Sequence, residues 1–147
     1  TVQRELARLE RAGLLRSRRI GRARLVRADE GSPYHRELRA LLEKAFGPEA
    51  ALRELLSDVN GIEEAWIFGS WARRYLGEEG APPGDIDLLV VGAPRPDDLY
   101  RACRRAEARL GLPVNPSVVS PAEWESTESG FVRAVREEPR VPLLERR

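Results

Sequence analysis

The sequence predicts an α+β fold, a sheet with helices packed beside it behind a short basic segment, and three observations carry that expectation. The runs Ala65 to Phe68 and Ile86 to Val91 are apolar enough to be buried strands. Residues 97–110 repeat apolar side chains at helical spacing, so the order reads strand, loop, strand, helix. Residues 1–27 hold nine arginines against Glu5 and Glu10, a net of +7 in a chain whose total is only +1, which leaves the remainder at −6.

A length of 147 residues fits one medium domain or two small ones, and a hydrophobic fraction of 41% argues against wholesale disorder despite 33% charged residues. No stretch approaches the roughly 18 apolar residues of a membrane span, and no signal-peptide pattern opens the chain, so the expectation is a cytoplasmic protein with no membrane partner. The chain starts at Thr1 inside a helical pattern, which points to a segment before it. Cys103 is the only cysteine and His35 the only histidine. An intrachain disulfide and a Cys/His zinc site are excluded, and any metal must be held by oxygen. Lys44 is the only lysine among 25 basic residues, so function is read from where the arginines cluster rather than from their identity.

The elements follow in order. Thr1 can cap a helix in which Val2, Leu6 and Leu9 form a core stripe, with Arg4, Arg8 and Arg11 about 200° further round, ending near Gly13. Arg16 to Ile20 and Arg22 to Arg27, hinged at Gly21, read as a basic hairpin. Ser32 and Pro33 can open a helix with Tyr34, Leu38, Leu41, Leu42 and Ala45 on one face, stopped by Gly47-Pro48. A short helix from Glu49 to Asp58 precedes the Asn60-Gly61 turn and a strand over 63–69. Trp71 to Leu76 makes one or two helical turns, residues 77–84 are loop, and Asp85 to Val91 is a strand. A helix over 97–110 buries Leu99, Ala102, Cys103, Ala106 and Leu110; a third strand candidate spans Pro113 to Ser120, and one or two short helices after Pro121 lead to Val141 to Leu144.

The chemistry sits in Ile67-Phe68-Gly69-Ser70-Trp71-Ala72-Arg73-Arg74 and Gly84-Asp85-Ile86-Asp87-Leu88. Side chains alternate along a strand, so Asp85 and Asp87 share a face. Two such carboxylates repel unless water or a hard cation lies between them, and Mg²⁺ or Mn²⁺ suits an all-oxygen pair completed by water and a substrate phosphate. Gly69-Ser70, between strand and helix, lets backbone N–H groups and a hydroxyl approach that phosphate. The bland alternative is a salt-bridged strand end with Arg73 as partner.

On these residues the segment resembles the minimal nucleotidyltransferase group of the polymerase β-like superfamily, over about residues 60–120. The resemblance implies a mixed sheet with flanking helices. It also implies that Gly69, Ser70 and Arg73 hold the triphosphate of an NTP, ATP foremost. Asp85 and Asp87 are then the catalytic metal ligands that align the α-phosphate for attack by a hydroxyl. Fourteen residues separate Ser70 from Asp85, a long spacer for that family, and Arg74 replaces a frequent glycine. Asn115 occupies the expected place of a third carboxylate; Glu123 and Glu125 lie beyond it as substitutes or as helix-start acids.

Residues 1–27 resemble the recognition helix and wing of a winged helix-turn-helix of bacterial regulators, through Gln-Arg-Glu-Leu-x-x-Leu-Glu-x-x-Gly-Leu-Leu. That resemblance implies DNA as partner. Gln3, Arg4 and Arg8 would enter the major groove, and Arg18, Arg19, Arg22 and Arg24 would touch phosphate or minor groove. The alternative is an arginine-rich surface that is merely solvated. His35 reads as a surface residue, Cys103 as core, and Trp66, Trp71 and Trp124 as core more readily than as base-stacking partners.

The expected organisation is a partial winged-helix segment (1–28), a linker helix (29–47) and a nucleotidyltransferase-like domain (48–147). A homodimer through the Tyr34 to Phe46 helix is expected by analogy. Two functions stay open: a Mg²⁺-dependent transferase on a DNA-binding regulator, favoured by the intact Gly-Ser and Asp-x-Asp, or an antitoxin-like regulator that senses nucleotide without turnover, favoured by Asn115.

Overall fold

A computed structural model of the chain describes residues 1–126 and 128–145. They form two compact units, one of residues 1–45 and one of the described residues from 46 onward, so nearly all of the expected linker helix groups with the basic end. The first unit holds α1 (Val2–Arg11), β1 (Leu15–Ile20), β2 (Ala23–Ala28) and α2 (His35–Phe46), whose last residue crosses into the second unit. In the antiparallel β1–β2 hairpin Leu15 faces Ala28 and Ile20 faces Ala23, leaving Gly21-Arg22 as a two-residue turn. Gly21 has φ +59°, the left-handed conformation such a turn favours. Helix α2 begins at His35, later than the sequence implied, because residues 32–34 close a turn in which the Ser32 carbonyl accepts the His35 N–H at 3.1 Å.

No residue of this first unit is buried. Leu6 is half-buried, yet Val2 on the same stripe is 75% exposed, so the expected core face of α1 has little to pack against within the unit. Two helices and one hairpin offer too few layers to enclose a core.

The second unit contains α3 (Pro48–Ser57), β3 (Ile62–Phe68), α4 (Gly69–Tyr75), β4 (Ile86–Gly92), α5 (Pro96–Leu110), β5 (Val114–Val119), α6 (Pro121–Glu125), α7 (Gly130–Glu137) and β6 (Val141–Leu144). Its sheet runs β5-β4-β3-β6, with β4 and β5 parallel and the other pairs antiparallel. The mixed α+β architecture expected from the sequence is therefore present. Asp85 stands just before β4 rather than within it, and α4 begins at Gly69 instead of Trp71.

Burial explains why β4 is apolar without alternation. Ile86, Leu88 and Val90 pack with Leu52, Leu55 and Leu56 of α3 and with Leu99, Ala102, Cys103 and Ala106 of α5. On the opposite face Leu89 and Val91 meet Val119, Trp124, Val132 and Val135, against which Trp66 and Phe68 also pack. Each fully buried aliphatic side chain contributes about 1.5–3 kcal/mol, and this strand places five fully buried ones between two helical layers. Cys103 is core as expected, and burial, helped by Glu107, pushes its thiol up to about 11.

Both outer strands of the sheet carry a proline, Pro116 in β5 and Pro142 in β6. The Pro142 carbonyl accepts a hydrogen bond from Arg53 at 2.9 Å. The register pairs Phe68 with Asp87, Asp87 with Asn115 and Ile67 with Val141. Those pairings bring the end of β3 and the starts of β4, β5 and β6 to one end of the sheet.

Candidate functional site

The chain leaves β3 for α4 through Gly69, which has φ +70°. A Cβ built there would overlap the Asp87 carboxylate and stand 3.2 Å from Asp87 Cγ. The carboxylate thus lies directly against a bare stretch of backbone, which any other residue at position 69 would close. Ser70 is exposed on the first turn of α4, and no side chain caps that helix. At seven residues α4 has only a small dipole, so an anion here would rely on N–H groups and the Ser70 hydroxyl. Gly69, Ser70, Asp85 and Asp87, spread over 19 positions, all meet at this end of the sheet.

Asp87 follows the parity of Leu89 and Val91, on the face covered by α6 and α7. Its carboxyl is raised above the ordinary value of 3.8, first by burial and then by the negative charge of Asp85. Glu138 raises it further, while Arg73 and the Asn115 amide oppose the shift. Asn115 Nδ2 also donates to Asp85 Oδ2 at 3.0 Å. The position expected to offer a third carboxylate therefore donates hydrogen bonds to the acidic pair.

The donor set suits a hard divalent cation in one respect: two mutually repelling, partly exposed carboxylates meet the usual protein contribution to a Mg²⁺ site. Among the described residues no group of three or more His, Cys, Asp or Glu side chains is arranged to hold a metal. Water and a bound phosphate would have to complete the shell. Glu123 does not supply the missing group, because its carboxylate accepts from the Ser120 N–H at 2.8 Å in a capping box. It also follows the far end of β5, a strand's length from Asn115. Glu125 belongs to the same five-residue helix.

Arg73 reaches this end of the sheet, but its Nη1 donates to Glu138 Oε2 at 2.9 Å and its Nε stands 3.7 Å from Glu78 Oε2. Arg73 also lines, with Ser70, Arg74, Glu78 and Glu79, a cavity of about 190 Å³. Sequence reasoning missed Glu138. It caps the C-terminus of α7 and precedes Val141, whose pairing with Ile67 carries it here. Trp71 is buried and stacks on Tyr75, with ring centroids 4.8 Å apart, as part of the core. Trp66 and Trp124 lie 4.9 Å apart under Arg136 and Arg140, again as packing.

In the first unit the candidate DNA-contacting residues do not form one face. Arg24 bonds Glu10, Ser17 Oγ and Gln3 Oε1, tying the hairpin to α1 and occupying Gln3 as well. Arg4 and Arg8 are 80% and 76% exposed, with only loose contacts to Glu5 at 3.7 and 4.0 Å. Arg18 and Arg19 are neighbours on β1 and therefore project to opposite sides, Arg18 beside Leu25 and Arg19 beside Arg24. Arg18, Arg19 and Arg22 are exposed, and none has an ion-pair partner among the described residues. Arg16 pairs with Asp29 at 2.8 Å and, as the leading cause, holds that carboxyl below its ordinary value.

No protein-family model matches the chain and no curated protein matches it. Among solved structures it is similar to a protein of Sulfolobus solfataricus described as "a putative nucleotidyltransferase", with 20% identity over 80% of this chain and 93% of that one and a TM-score of 0.42.

Replacing Gly69 by alanine forces a left-handed backbone on a residue with a Cβ and drives that Cβ into Asp87. The expected loss is roughly 2–3 kcal/mol in urea denaturation. In an Asp87→Ala background the loss should shrink towards the backbone share alone; an unchanged loss would show that the carboxylate contact is immaterial. The raised carboxyl of Asp87 gives a second expectation. Its contribution is fully present below the unfolded value and is lost as pH rises through the raised folded value. Metal-free Asp87→Asn should therefore melt higher than the parent at pH 7 and at the same temperature below pH 3.

Proposed function

We propose that residues 46–145 act as a Mg²⁺-dependent nucleotidyltransferase domain, of the minimal polymerase β-like kind, on a protein whose N-terminal unit binds DNA as a regulator. The observation that carries the reading is the apposition of the Asp85–Asp87 pair to the bare Gly69 backbone. A phosphate chain on Gly69-Ser70 would lie beside the two carboxylates that hold its cation.

Asp85 and Asp87 would hold Mg²⁺ or Mn²⁺, which when bound supplies charge compensation for the phosphoryl group and its pyrophosphate leaving group. Gly69 leaves room for phosphate oxygens to reach backbone N–H groups, and the Ser70 hydroxyl can donate to one of them. Arg73 retains N–H donors beyond the one given to Glu138, enough for a phosphate contact in the same position. The attacking hydroxyl must lose its proton to water or to an Asp carboxylate, because the Asn115 amide cannot accept it.

That last point favours the second reading, in which the domain binds nucleotide and senses it without turnover. Asn115 donating to Asp85 steadies the acidic pair but adds neither a third anionic ligand nor a base. DNA binding would rest on the exposed Arg4, Arg8, Arg18, Arg19 and Arg22, with Gln3 and Arg24, which are bonded to each other, beside them. Cytoplasmic placement and a homodimer are part of the same proposal, and no helix among the described residues is long and apolar enough to cross a membrane.

The full chain incubated with labelled NTPs and Mg²⁺ should release pyrophosphate or label itself. Asp87→Ala should lower either signal by at least a hundredfold, on the order of two factors of ten in rate. Calorimetric binding of ATP without any release would establish the sensing reading instead, and absence of both would exclude the nucleotide site. For DNA, mutating Arg18, Arg19 and Arg22 together to alanine should flatten the dependence of affinity on salt by about three units of log–log slope at most. An unchanged slope would remove the hairpin from the interface.

A further inference from the structure

The nucleotidyltransferase reading leaves one residue of this end of the sheet without a task. Glu138 is delivered there by the fold, since it caps α7 three residues before Val141, which pairs with Ile67 at the end of β3. Its carboxylate takes the Arg73 guanidinium at 2.9 Å. Glu78, at 3.7 Å from Arg73 Nε, is beyond hydrogen-bond reach, so Glu138 is the hydrogen-bonded acidic partner of Arg73 among the described residues.

The arrangement is unusual in what Arg73 does not do. A guanidinium beside two carboxylates ordinarily forks onto them, because planar bidentate pairing is the strongest use of its donors. Arg73 stands one turn of α4 after Gly69, whose backbone touches Asp87, and its positive charge is felt at Asp87. Yet it makes no ion pair with Asp85 or Asp87 among the described residues. If it did, one fixed cation would neutralise the pair and displace a divalent ion. As a stabilising contact the Arg73–Glu138 pair is weak, with side chains 37% and 41% exposed, which argues against a purely structural purpose.

We propose that Glu138 is a positioning residue that holds Arg73 away from the Asp85–Asp87 pair, keeping the pair open to a divalent cation and Arg73 aimed at the phosphate. The proposal rests on the nucleotidyltransferase reading for the cation but names a residue that the reading does not require. Removing the Glu138 charge frees the Arg73 Nη1 donor, for which the Asp85–Asp87 pair then competes with Glu78, 3.7 Å from Arg73 Nε.

The test is Mn²⁺ binding to the full chain without nucleotide, by calorimetry, on variants whose folding is verified by circular dichroism. Glu138→Gln should bind Mn²⁺ about tenfold more weakly, the scale of one charge placed a few ångströms from a carboxylate. Glu138→Asp should restore most of the affinity. A lost negative charge would weaken cation binding even without any movement of Arg73, so the deciding comparison is made in an Arg73→Gln background. There Glu138→Gln should change Mn²⁺ affinity less than twofold. An equal loss in both backgrounds, or none in the parent, overturns the proposal. If the parent chain binds no Mn²⁺ at all, the metal reading of the aspartates fails and this proposal with it. A metal-free readout separates the two: the Arg73 guanidinium N–H resonances should move in Glu138→Gln, and the size of that move should change when Asp87→Asn is added. A resonance that ignores Asp87 overturns the positioning role whatever the metal does.

Discussion

The close approach of the Asp87 carboxylate to the Gly69 backbone is the constraint on which the rest of this end of the sheet depends. It is possible only because three strands are in register, Phe68 opposite Asp87 and Asp87 opposite Asn115, and because Gly69 adopts a left-handed conformation with no side chain to exclude the acid. The same contact costs something. Burial and the charge of Asp85 both oppose ionisation of Asp87, so the site stores electrostatic strain that the fold does not relieve with a fixed cation. A protein selected for stability alone would place an apolar side chain or a bidentate arginine here.

The surrounding charges show how that strain is contained rather than removed. Asn115 supplies a neutral donor to Asp85, and Arg73 lends distant positive potential while bonded to Glu138. The aromatic layer on the same face, Trp66 with Trp124 and Phe68 with Phe131, fixes α6 and α7 against the sheet and so fixes where Glu138 emerges. Placement of one surface carboxylate thus depends on a hydrophobic cluster some residues away.

Much of this was legible in the sequence, and the parts that were not share a cause. The apolar runs 65–68 and 86–91 announced the two central strands, because the stretch of a strand covered on both faces is apolar without alternation. Gly69-Ser70 was legible as a strand-to-helix corner and Asp85-x-Asp87 as two acids at the head of an apolar run, although Asp85 stands just before β4. Glu138 was invisible because nothing local marks it; only the antiparallel pairing of β6 with β3, across more than seventy residues, brings it to the site. The contacts of Arg24 were equally invisible, since its partners Glu10 and Gln3 lie on another element. Asn115 could be read in advance as a missing acid, but not as a donor to Asp85. The apolar stripe of α1 was read correctly as amphipathic, whereas whether anything covers Val2 is not a local property.

Pro116 and Pro142, one on each outer strand, bear on how this protein can meet others. A sheet edge normally presents a ladder of unpaired N–H and C=O groups that a second strand can extend. A proline has no N–H to offer, and at Pro142 the carbonyl is already taken by Arg53. Both flanks are therefore poor templates for strand addition, so cross-chain β-pairing and the aggregation it seeds are resisted from either side. Association with a neighbour would have to be built from side chains on helices or loops.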